Sequence, residues 1–473
     1  MRWQIFPALA CVIPFGLMNG HPSRALGEDP PRQEPSLTAQ PAKAFAWTSE
    51  KGLRYTWVLP GTVADPGHRT LIILCHGTGL DYRWGSANYP PGVFRPADIV
   101  ISVDGPSPGP NGTRLFLSEE DDSAAFAGFI GEMARVFGAS RTIVYGHSQG
   151  SFFAAWFAGE HPELVDGVIA HASGVWTWTK YGRDVAGVPI VLMHGSADPV
   201  VPYGQSVGGR DWYREQGHPM VQLRRLDRYN HWPNGERAAE AIDWCIGMKT
   251  AQPAEALAAA ESMVRPKGVD KYAYEAPPWF SGARDVLRRF EGRGPRPFGP
   301  EVLKGIPAAE RDRAAELTKL IEAAGEAHVQ KLRASIKQPE DLKLDGGAWL
   351  GHLVLVREDF RGVDSVEAYM TQIGYDGALR EHVKAAAPLM DTWYEQAEPD
   401  AKFGAAVAAL PRCFLIETLP FGFGDTMADW WRNADGAGIT PEHRKQYANF
   451  AMWQTGWQEG RKQYKELWKA WKP

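Results

Sequence analysis

The feature that most constrains this chain is the pentapeptide Gly146-His147-Ser148-Gln149-Gly150. A strand-like run over 142–145 precedes it, and a helix-like run over 151–158 follows it. A strand, a G-x-S-x-G turn and a helix, in this order, predict a serine on a sharp turn with its hydroxyl exposed above a sheet. Glycine at both ends leaves space where the chain doubles back. The pentapeptide therefore predicts a nucleophilic Ser148, and the backbone N–H of Gln149 would face an attacked carbonyl oxygen.

Apolar runs typical of strands alternate with helical patterns through the first half of the chain. The predicted strands span 44–48, 53–60, 70–75, 98–103, 142–145, 165–172, 188–193 and 221–226, and amphipathic patterns predict helices over 123–137 and 238–246. Strands that alternate with helices form a mainly parallel sheet with both faces covered. The short segment between the strands at 165–172 and 188–193 leaves no room for a large helical cap, so we expect an open site.

A serine nucleophile needs a base, and the base needs a carboxylate that orients it. Chains with this motif carry the three groups in the order serine, acid, histidine. Asp198 follows the strand at 188–193, and His231 follows the strand at 221–226. Both therefore lie at carboxyl ends of strands, where open parallel sheets place their sites. We predict that Ser148 attacks, His231 transfers the proton and Asp198 orients the imidazole.

Other residues compete for two of these roles. Asp227 and Asp166 are alternatives for the acid, and His194 and His218 are alternatives for the base. His76, by contrast, is interpreted as an organiser of its own loop.

The predicted oxyanion hole needs two backbone N–H donors. Gln149 supplies one, and the loop after the strand at 70–75 supplies the other, with Thr78 as first choice and Gly79 as second. Four side chains are predicted to contact the substrate: His147, Trp176, Trp178 and Trp232. For the three tryptophans, packing inside the fold and an aromatic substrate platform both remain open.

Length and composition limit the remaining possibilities. A chain of 473 residues with 44% hydrophobic and 23% charged residues is globular and long enough for more than one domain. A net charge of -5 gives no electrostatic reason to expect a nucleic-acid partner. The 4 cysteines form no C-x-x-C pair, so no metal is predicted, and a Cys245–Cys413 disulfide is left open.

The N-terminus has the pattern of an export signal. Residues 1–26 contain an early arginine, a mostly apolar run over 5–18 and small residues near 23–25. That run is short and interrupted by proline, so no stable membrane span is predicted. We expect a secreted or periplasmic protein, with a proline-rich linker over 27–43.

The pattern changes after the predicted catalytic domain at 44–250. Residues 264–306 are rich in proline, glycine and arginine, so 251–306 is interpreted as a linker or irregular wrap. A helical domain of unknown role is predicted over 307–473. Its first helix has a stripe formed by Leu317, Ile321, Ala324, His328, Leu332 and Ile336, and its last helix, over 441–471, has an aromatic face. This aromatic face could pack against neighbouring helices or bind a carbohydrate or a protein partner, and the sequence does not decide between these roles.

Residues 44–250 resemble α/β-hydrolases. The resemblance is carried by the His76-Gly77 loop, the Gly146–Gly150 turn, the run from His194-Gly195-Ser196-Ala197-Asp198 to Pro202, and Asn230-His231-Trp232. The helix before the turn and the missing cap are similar to secreted esterases of the polyhydroxybutyrate depolymerase and feruloyl esterase group and to dienelactone-hydrolase-like proteins. This resemblance implies an eight-stranded, mostly parallel sheet and carboxylic ester hydrolysis without a metal or organic cofactor.

The leading hypothesis is a serine hydrolase that acts on small or polymer-linked esters through an acyl-enzyme. One alternative is a serine peptidase of the prolyl-oligopeptidase type, although residues 27–43 leave no space for the N-terminal propeller of such enzymes. Another is a binding or scaffold protein in which the hydrolase half is vestigial.

Overall fold

The computed structural model describes residues 44–49, 52–58, 69–89, 94–95, 98–174, 179, 182, 184–195, 198, 200–201, 203–226, 229–232, 235–265, 267–269, 275–276, 278–342, 353, 356–378 and 381. The predicted signal peptide, the linker at 27–43 and the aromatic helix at 441–471 lie outside these residues. Trp176, Trp178, Asp227 and Cys413 also lie outside them.

One eight-stranded sheet forms the centre of the described fold. Its strands are β1 (Ala44–Thr48), β2 (Arg54–Val58), β3 (Thr70–Cys75), β4 (Ile99–Val103), β7 (Arg141–His147), β8 (Gly167–His171), β9 (Ile190–Gly195) and β10 (Val221–Leu226). Two small ribbons lie outside the sheet and pair β5 (Ser107–Pro108) with β6 (Arg114–Leu115) and β11 (Lys267–Val269) with β12 (Glu275–Ala276).

The strand order across the sheet is β1-β2-β4-β3-β7-β8-β9-β10. Strand β2 pairs antiparallel with both β1 and β4, and all pairs from β4 to β10 are parallel. The prediction of an eight-stranded, mostly parallel sheet is therefore confirmed. Because the parallel strands all end at one edge, the loops after β3, β7, β9 and β10 meet there.

The α-helices whose bounds are described surround the sheet or follow it. They are α1 (Arg83–Asn88), α2 (Glu120–Phe137), α3 (Gln149–Glu160), α4 (Gly204–Glu215), α5 (Gly235–Lys249), α6 (Pro253–Val264), α7 (Phe280–Arg288), α8 (Pro300–Gly305), α9 (Ala308–Arg333) and α10 (Asp364–Gln372).

Every residue of β3 is buried, which requires that both faces of the sheet are covered. On one face, Leu71, Ile73 and Cys75 join a core that includes side chains of α2, α3 and α4. On the other face, Gly85 of α1 lies against Leu74 of β3, and Gly167 lies against Cys245 of α5.

Local sequence explains the bounds of α2. Three acidic residues, Glu120, Asp121 and Asp122, occupy its first turn, and Arg135 lies in its last turn. These charges complement the helix dipole at each end. Gly138 ends the helix in the left-handed conformation, with φ of 58°.

Residues 264–306 are more regular than predicted. Helix α7 lies within this stretch, and its Val286 packs with Ala259 of α6 against Gly247 of α5. The Arg289 guanidinium donates hydrogen bonds to the carbonyl oxygens of Gly247 and Thr250 at the end of α5. The prolines and glycines that suggested an irregular wrap lie mostly outside α7, so the density of helix breakers concealed a short helix between them.

Helix α9 confirms most of the predicted stripe and corrects its middle. Leu317, Ile321 and Leu332 are buried, but Gly325 and Val329 are buried in place of Ala324 and His328, which are half-exposed. Gly325 is selected by tertiary contact: a Cβ there would lie 2.6 Å from Val363. Pro307 is the N-cap residue of α9.

Cys75 and Cys245 are buried free thiols. Cys413, which the sequence left open as a partner of Cys245, is outside the described residues. No helix within the described part of the chain is both long and apolar enough to cross a membrane.

Candidate active site

Ser148 occupies the turn between β7 and α3 with a strained backbone. Its φ is 52° and its ψ is −122°, outside the regions that residues with a Cβ normally adopt. The Ser148 N–H donates to the carbonyl oxygen of His171, 2.9 Å away at the end of β8. The surrounding structure therefore holds the strained conformation that the pentapeptide predicts.

The two glycines of the pentapeptide are required by close backbone approach. A Cβ on Gly146 would lie 2.3 Å from the carbonyl oxygen of Gly150. A Cβ on Gly150 would lie 2.4 Å from the carbonyl oxygen of His76. Gly150 thus brings the loop after β3 against the first turn of α3.

Two backbone N–H groups beside Ser148 have no hydrogen-bond acceptor among the residues that the structure describes. Within the described residues, the N–H groups of Gln149 and Thr78 donate to no backbone acceptor. Gln149 is the first residue of α3, where the helix dipole favours negative charge. The Thr78 loop is close, since a Cβ on Gly77 would lie 3.0 Å from the Ser148 Cβ. Both donors chosen from the sequence are therefore available near the serine.

His76 holds that loop in place. Its Nδ1 lies 2.9 Å from the Gly77 carbonyl oxygen, and its Nε2 lies 3.3 Å from the Gly105 N–H. The first contact requires a donor and the second an acceptor, so the ring is the neutral Nδ1–H tautomer. Burial lowers the pKa of His76, against smaller opposing effects of the Gly77 hydrogen bond and the Asp104 charge. This agrees with the interpretation of His76 as a loop organiser.

Asp198 and His231 are brought together by the loops after β9 and β10. Asp198 Oδ2 lies 2.8 Å from His231 Nδ1, and both side chains are buried. The other carboxylate oxygen, Oδ1, accepts the N–H groups of Val200 at 2.7 Å and Val201 at 2.9 Å. This geometry fixes the His231 tautomer so that Nε2 is free to accept a proton.

His194 is a second imidazole on the same carboxylate. Its Nε2 lies 3.1 Å from Asp198 Oδ2 and 2.8 Å from the Val201 carbonyl oxygen. Burial raises the pKa of Asp198, but the charge of His231 and hydrogen bonds from His194 and His231 lower it to a net value well below the usual range. The acid is therefore ionised across the range in which proteins normally work.

Asp166 and His218, which competed for the acid and base roles, lie away from this edge of the sheet. Asp166 accepts the Thr142 N–H at 3.0 Å, at the opposite, amino-terminal end of β7. His218 bonds to the Val185 carbonyl oxygen before β10 begins, and burial lowers its pKa to about 4. His194 does reach the site, but as a neighbour of the acid.

His147 is buried under the site, between aromatic rings. Its ring lies 4.8 Å from that of His231, 5.2 Å from that of Trp84 and 6.1 Å from that of Trp232. Burial, with the charges of His231 and His171, lowers the pKa of His147 well below its ordinary value. His147 is therefore neutral, and Trp232, which is 38% exposed, is the open end of this group.

His147 contacts the His231 ring, whereas Ser148 and His231 have no hydrogen bond between them in the described part of the chain. Within the described residues, the Ser148 hydroxyl makes no hydrogen bond to His231, although His147, the residue before the serine, packs against the His231 ring. Such contacts often tighten only when substrate is bound.

Three residues beside the site were not predicted from the sequence: Tyr145, His171 and Trp84. Tyr145 O–H and His147 Nδ1 lie 2.9 and 3.2 Å from His171 Nδ1. Burial, with the charges of His231 and His194, lowers the pKa of His171 to about 3. The position of His171 at the end of β8 was a usable signal, whereas nothing in the local pattern marked Trp84.

No group of three or more histidine, cysteine, aspartate or glutamate side chains in the described residues could hold a metal ion.

Comparison with known proteins places the fold. Residues 70–185 match the family model described as alpha/beta hydrolase fold. No curated protein matches the sequence significantly. Similar solved structures include the carboxylesterase of Bacillus cereus (18% identity, 41% of this chain, 94% of that chain, TM-score 0.35). Others are the carboxylesterase of Mesorhizobium loti (19%, 42% and 98%, 0.35) and Est1E from Butyrivibrio proteoclasticus (15%, 42% and 95%, 0.31). The match over 70–185 and the mostly parallel eight-stranded sheet give this part of the chain an α/β-hydrolase fold, and its chemistry is argued from the site itself.

Proposed function

We propose that this α/β-hydrolase fold carries a serine hydrolase that cleaves carboxylic esters through an acyl-enzyme. The observation that carries the proposal is the strained Ser148 beside two unpaired N–H groups, with the Asp198–His231 hydrogen bond at the same edge of the sheet. A nucleophile, a base and oxyanion donors are the groups that acyl transfer requires, so these residues at one edge of the sheet support the proposal. No other feature of the described residues supplies a second candidate nucleophile with these partners.

In the first half-reaction, Ser148 Oγ attacks the ester carbonyl carbon while His231 Nε2 takes the hydroxyl proton. The negative charge that develops on the carbonyl oxygen is stabilised by the N–H groups of Gln149 and Thr78. The carbon–oxygen bond to the alcohol then breaks, and His231 returns the proton to the leaving oxygen. The acyl group remains on Ser148 Oγ.

In the second half-reaction, water replaces the alcohol. The water oxygen attacks the acyl carbon while His231 Nε2 takes a proton from the water. The bond from the acyl carbon to Ser148 Oγ then breaks, and His231 gives the proton to Oγ. The products are a carboxylic acid and free enzyme. Throughout, the ionised Asp198 stabilises the imidazolium of His231 and holds its orientation.

A fluorophosphonate probe tests the nucleophile. We expect covalent labelling of the full-length protein that is lost in Ser148→Ala and kept in Ser140→Ala, a control at a turn before β7. Labelling that persists in the folded Ser148→Ala variant would contradict the proposal.

A substrate panel tests the reaction class. We expect turnover of p-nitrophenyl esters and little turnover of aminoacyl p-nitroanilides. The reverse preference would favour a serine peptidase, and a folded protein that is inactive on both and unlabelled would favour a binding or scaffold protein. Export of the protein also remains part of the proposal, to be tested by the N-terminal sequence of material recovered outside the cytoplasm.

A further inference from the structure

Helix α4 begins beside the catalytic acid. Ser206 Oγ, in the first turn of α4, lies 2.7 Å from His194 Nδ1 and also bonds to the Ser173 carbonyl oxygen after β8. Tyr203, the N-cap residue, packs edge-on against the His194 ring with centroids 5.8 Å apart. The first turn of α4 therefore fixes His194 from two directions.

His194 passes this constraint to the acid. Its Nε2 faces only oxygen acceptors, Asp198 Oδ2 and the Val201 carbonyl, so it bears a proton and donates. The same Oδ2 accepts the Nδ1–H of His231. A displacement of α4 would thus move His194 and disturb the oxygen on which the base depends.

The next turn of α4 contacts residues 356–378, the C-terminal helical segment. Arg210, four residues after Ser206, forms an ion pair with Glu358, in which Nη1 and Oε1 are 2.7 Å apart. Their side chains are 4% and 14% exposed. A second guanidinium on α4, that of Arg214, lies 3.8 Å from the same Glu358 oxygen.

Charge balance makes this contact hard to replace. Burial raises the pKa of Glu358, but the charges of Arg210, Arg214 and Arg361 outweigh burial and bring it below its ordinary value. Glu358 is therefore an anion among three cations, with Asp211 and Asp285 paired to Arg210 and Arg361 at the edges.

The segment that carries Glu358 is itself anchored away from α4. Arg361 pairs with Asp285 of α7 at 3.3 Å, and the Gly362 carbonyl oxygen accepts a hydrogen bond from Arg288 of α7 at 2.9 Å. Val363 packs against Gly325 of α9. Glu358 therefore connects α4 to a framework built from α7 and α9.

We propose that Glu358 and Arg210 are positioning residues through which the C-terminal helical segment holds the acid–base pair in its working geometry. The connection runs from Glu358 through Arg210 and Ser206 to His194 and Asp198. The inference rests on the proposed serine hydrolase function, because it assigns a role to residues outside that reaction's machinery. It also gives the C-terminal helices a part in catalysis without contact with substrate.

The physical reason is the small tolerance of the site. Without the Glu358 carboxylate, the buried guanidinium of Arg210 and the partly exposed guanidinium of Arg214, on adjacent turns of α4, lose their shared counter-ion. Helix α4, whose first turn bonds to His194, then loses its ion pair to the segment that carries Glu358 and can shift. A misplacement of about 1 Å in catalytic geometry can reduce the rate about 100-fold.

The test compares Glu358→Gln with Asp376→Asn in the full-length protein. Asp376 pairs with Arg357 at 2.8 Å in the same segment, but the two side chains are 67% and 39% exposed, so it is the matched control. Circular dichroism confirms that each variant is folded at the assay temperature. We expect Glu358→Gln to lower kcat on p-nitrophenyl butyrate about 10-fold or more, with KM changed less than about twofold. Asp376→Asn should leave both unchanged.

A second readout is independent of turnover. The proton between His231 Nδ1 and Asp198 should give a downfield resonance in proton NMR, assigned by its loss in His231→Gln. We expect Glu358→Gln to shift or broaden this resonance and Asp376→Asn to leave it unchanged. If Glu358→Gln does not fold, Glu358→Asp replaces it; because this variant keeps the charge but withdraws the carboxylate from Arg210, smaller changes of kcat and of the resonance in the same direction are expected.

Coupling through Ser206 is tested in a double variant. If the connection runs through that hydroxyl, the effect of Glu358→Gln on kcat should largely disappear in a Ser206→Ala background. A folded Glu358 variant with wild-type kcat and an unchanged proton resonance overturns the inference. Fully additive effects of the two substitutions on kcat show that the connection does not run through Ser206. A wild-type protein with no ester turnover and no probe labelling contradicts the proposed function instead, while the resonance still tests the coupling.

Discussion

The Nε2 atom of His194 lies 3.1 Å from Oδ2 of Asp198, on the oxygen that also accepts the Nδ1–H of His231. Two backbone N–H groups bind the other carboxylate oxygen. The acid is therefore held by four donors, which leaves it little freedom to rotate. His194, which the sequence alone offered as a possible base, instead lies against the Asp198 carboxylate.

Replacing Asp198 with asparagine should lower kcat about 10³- to 10⁴-fold, because an amide cannot stabilise the imidazolium or fix its tautomer. Steady-state kinetics on a p-nitrophenyl ester measure the effect. Asp166→Asn is the matched control, since Asp166 lies at the opposite end of β7 and should leave kcat unchanged. Comparable losses in both variants would show that Asp198 has no special role.

Replacing Gly150 with alanine should lower the free energy of unfolding by about 1–3 kcal/mol, because the added Cβ overlaps backbone that cannot move independently. That Cβ would lie 2.4 Å from the His76 carbonyl oxygen and 2.6 Å from that of Cys75. At Gly131 in α2 nothing lies within 4 Å, and alanine there should raise the free energy of unfolding by about 0.5–1 kcal/mol. Urea unfolding measures both changes, and a stabilised Gly150→Ala variant would contradict the close approach.

Replacing Trp232 with alanine should raise KM for aryl esters about 2- to 10-fold, if its ring is the exposed end of a substrate platform. At 38% exposure the ring contributes little to the core, so Tm should change little. Leu320→Ala on α9, at 48% exposure, is a control for loss of an exposed apolar side chain and should not alter KM. A fall in Tm with unchanged KM would assign Trp232 to packing.

Acidification should destabilise the protein partly through Glu255. Burial raises the pKa of Glu255, but hydrogen bonds and charge from Arg141, with help from Thr250 and Arg95, bring it down to about 2. The unfolded value is about 4.3, so this contribution is present above about pH 4.3 and is lost as the pH falls towards about 2. The urea midpoint should therefore decrease less between pH 7 and pH 3 in Glu255→Gln than in the wild type. Glu301→Gln, at an exposed pair with Lys304, should behave as the wild type.

Local pattern identified most of the sheet because buried parallel strands leave continuous apolar runs. The bounds of β1, β3 and β10 agree with the predicted runs, and β9 (Ile190–Gly195) begins and ends two residues later than the predicted run at 188–193. Patterns failed where contacts between distant segments decide. Nothing local distinguishes Gly325 of α9, which is buried because Val363, Ser365 and Val366 pack there. Helix α7 was hidden for the same reason, since its Val286 is stabilised by packing on α5.

The sequence alone determined the turn at Ser148, because glycine spacing and flanking periodicity are local properties of the chain. It also nominated Asp198 and His231, since order along the chain and strand ends can be read without coordinates. Only the tertiary structure decided which carboxylate and which imidazole meet, because hydrogen bonds depend on distances of a few ångströms between residues far apart in sequence. The same holds for His194, Ser206, Arg210 and Glu358, whose connection exists only once α4 lies between the acid loop and the C-terminal helices.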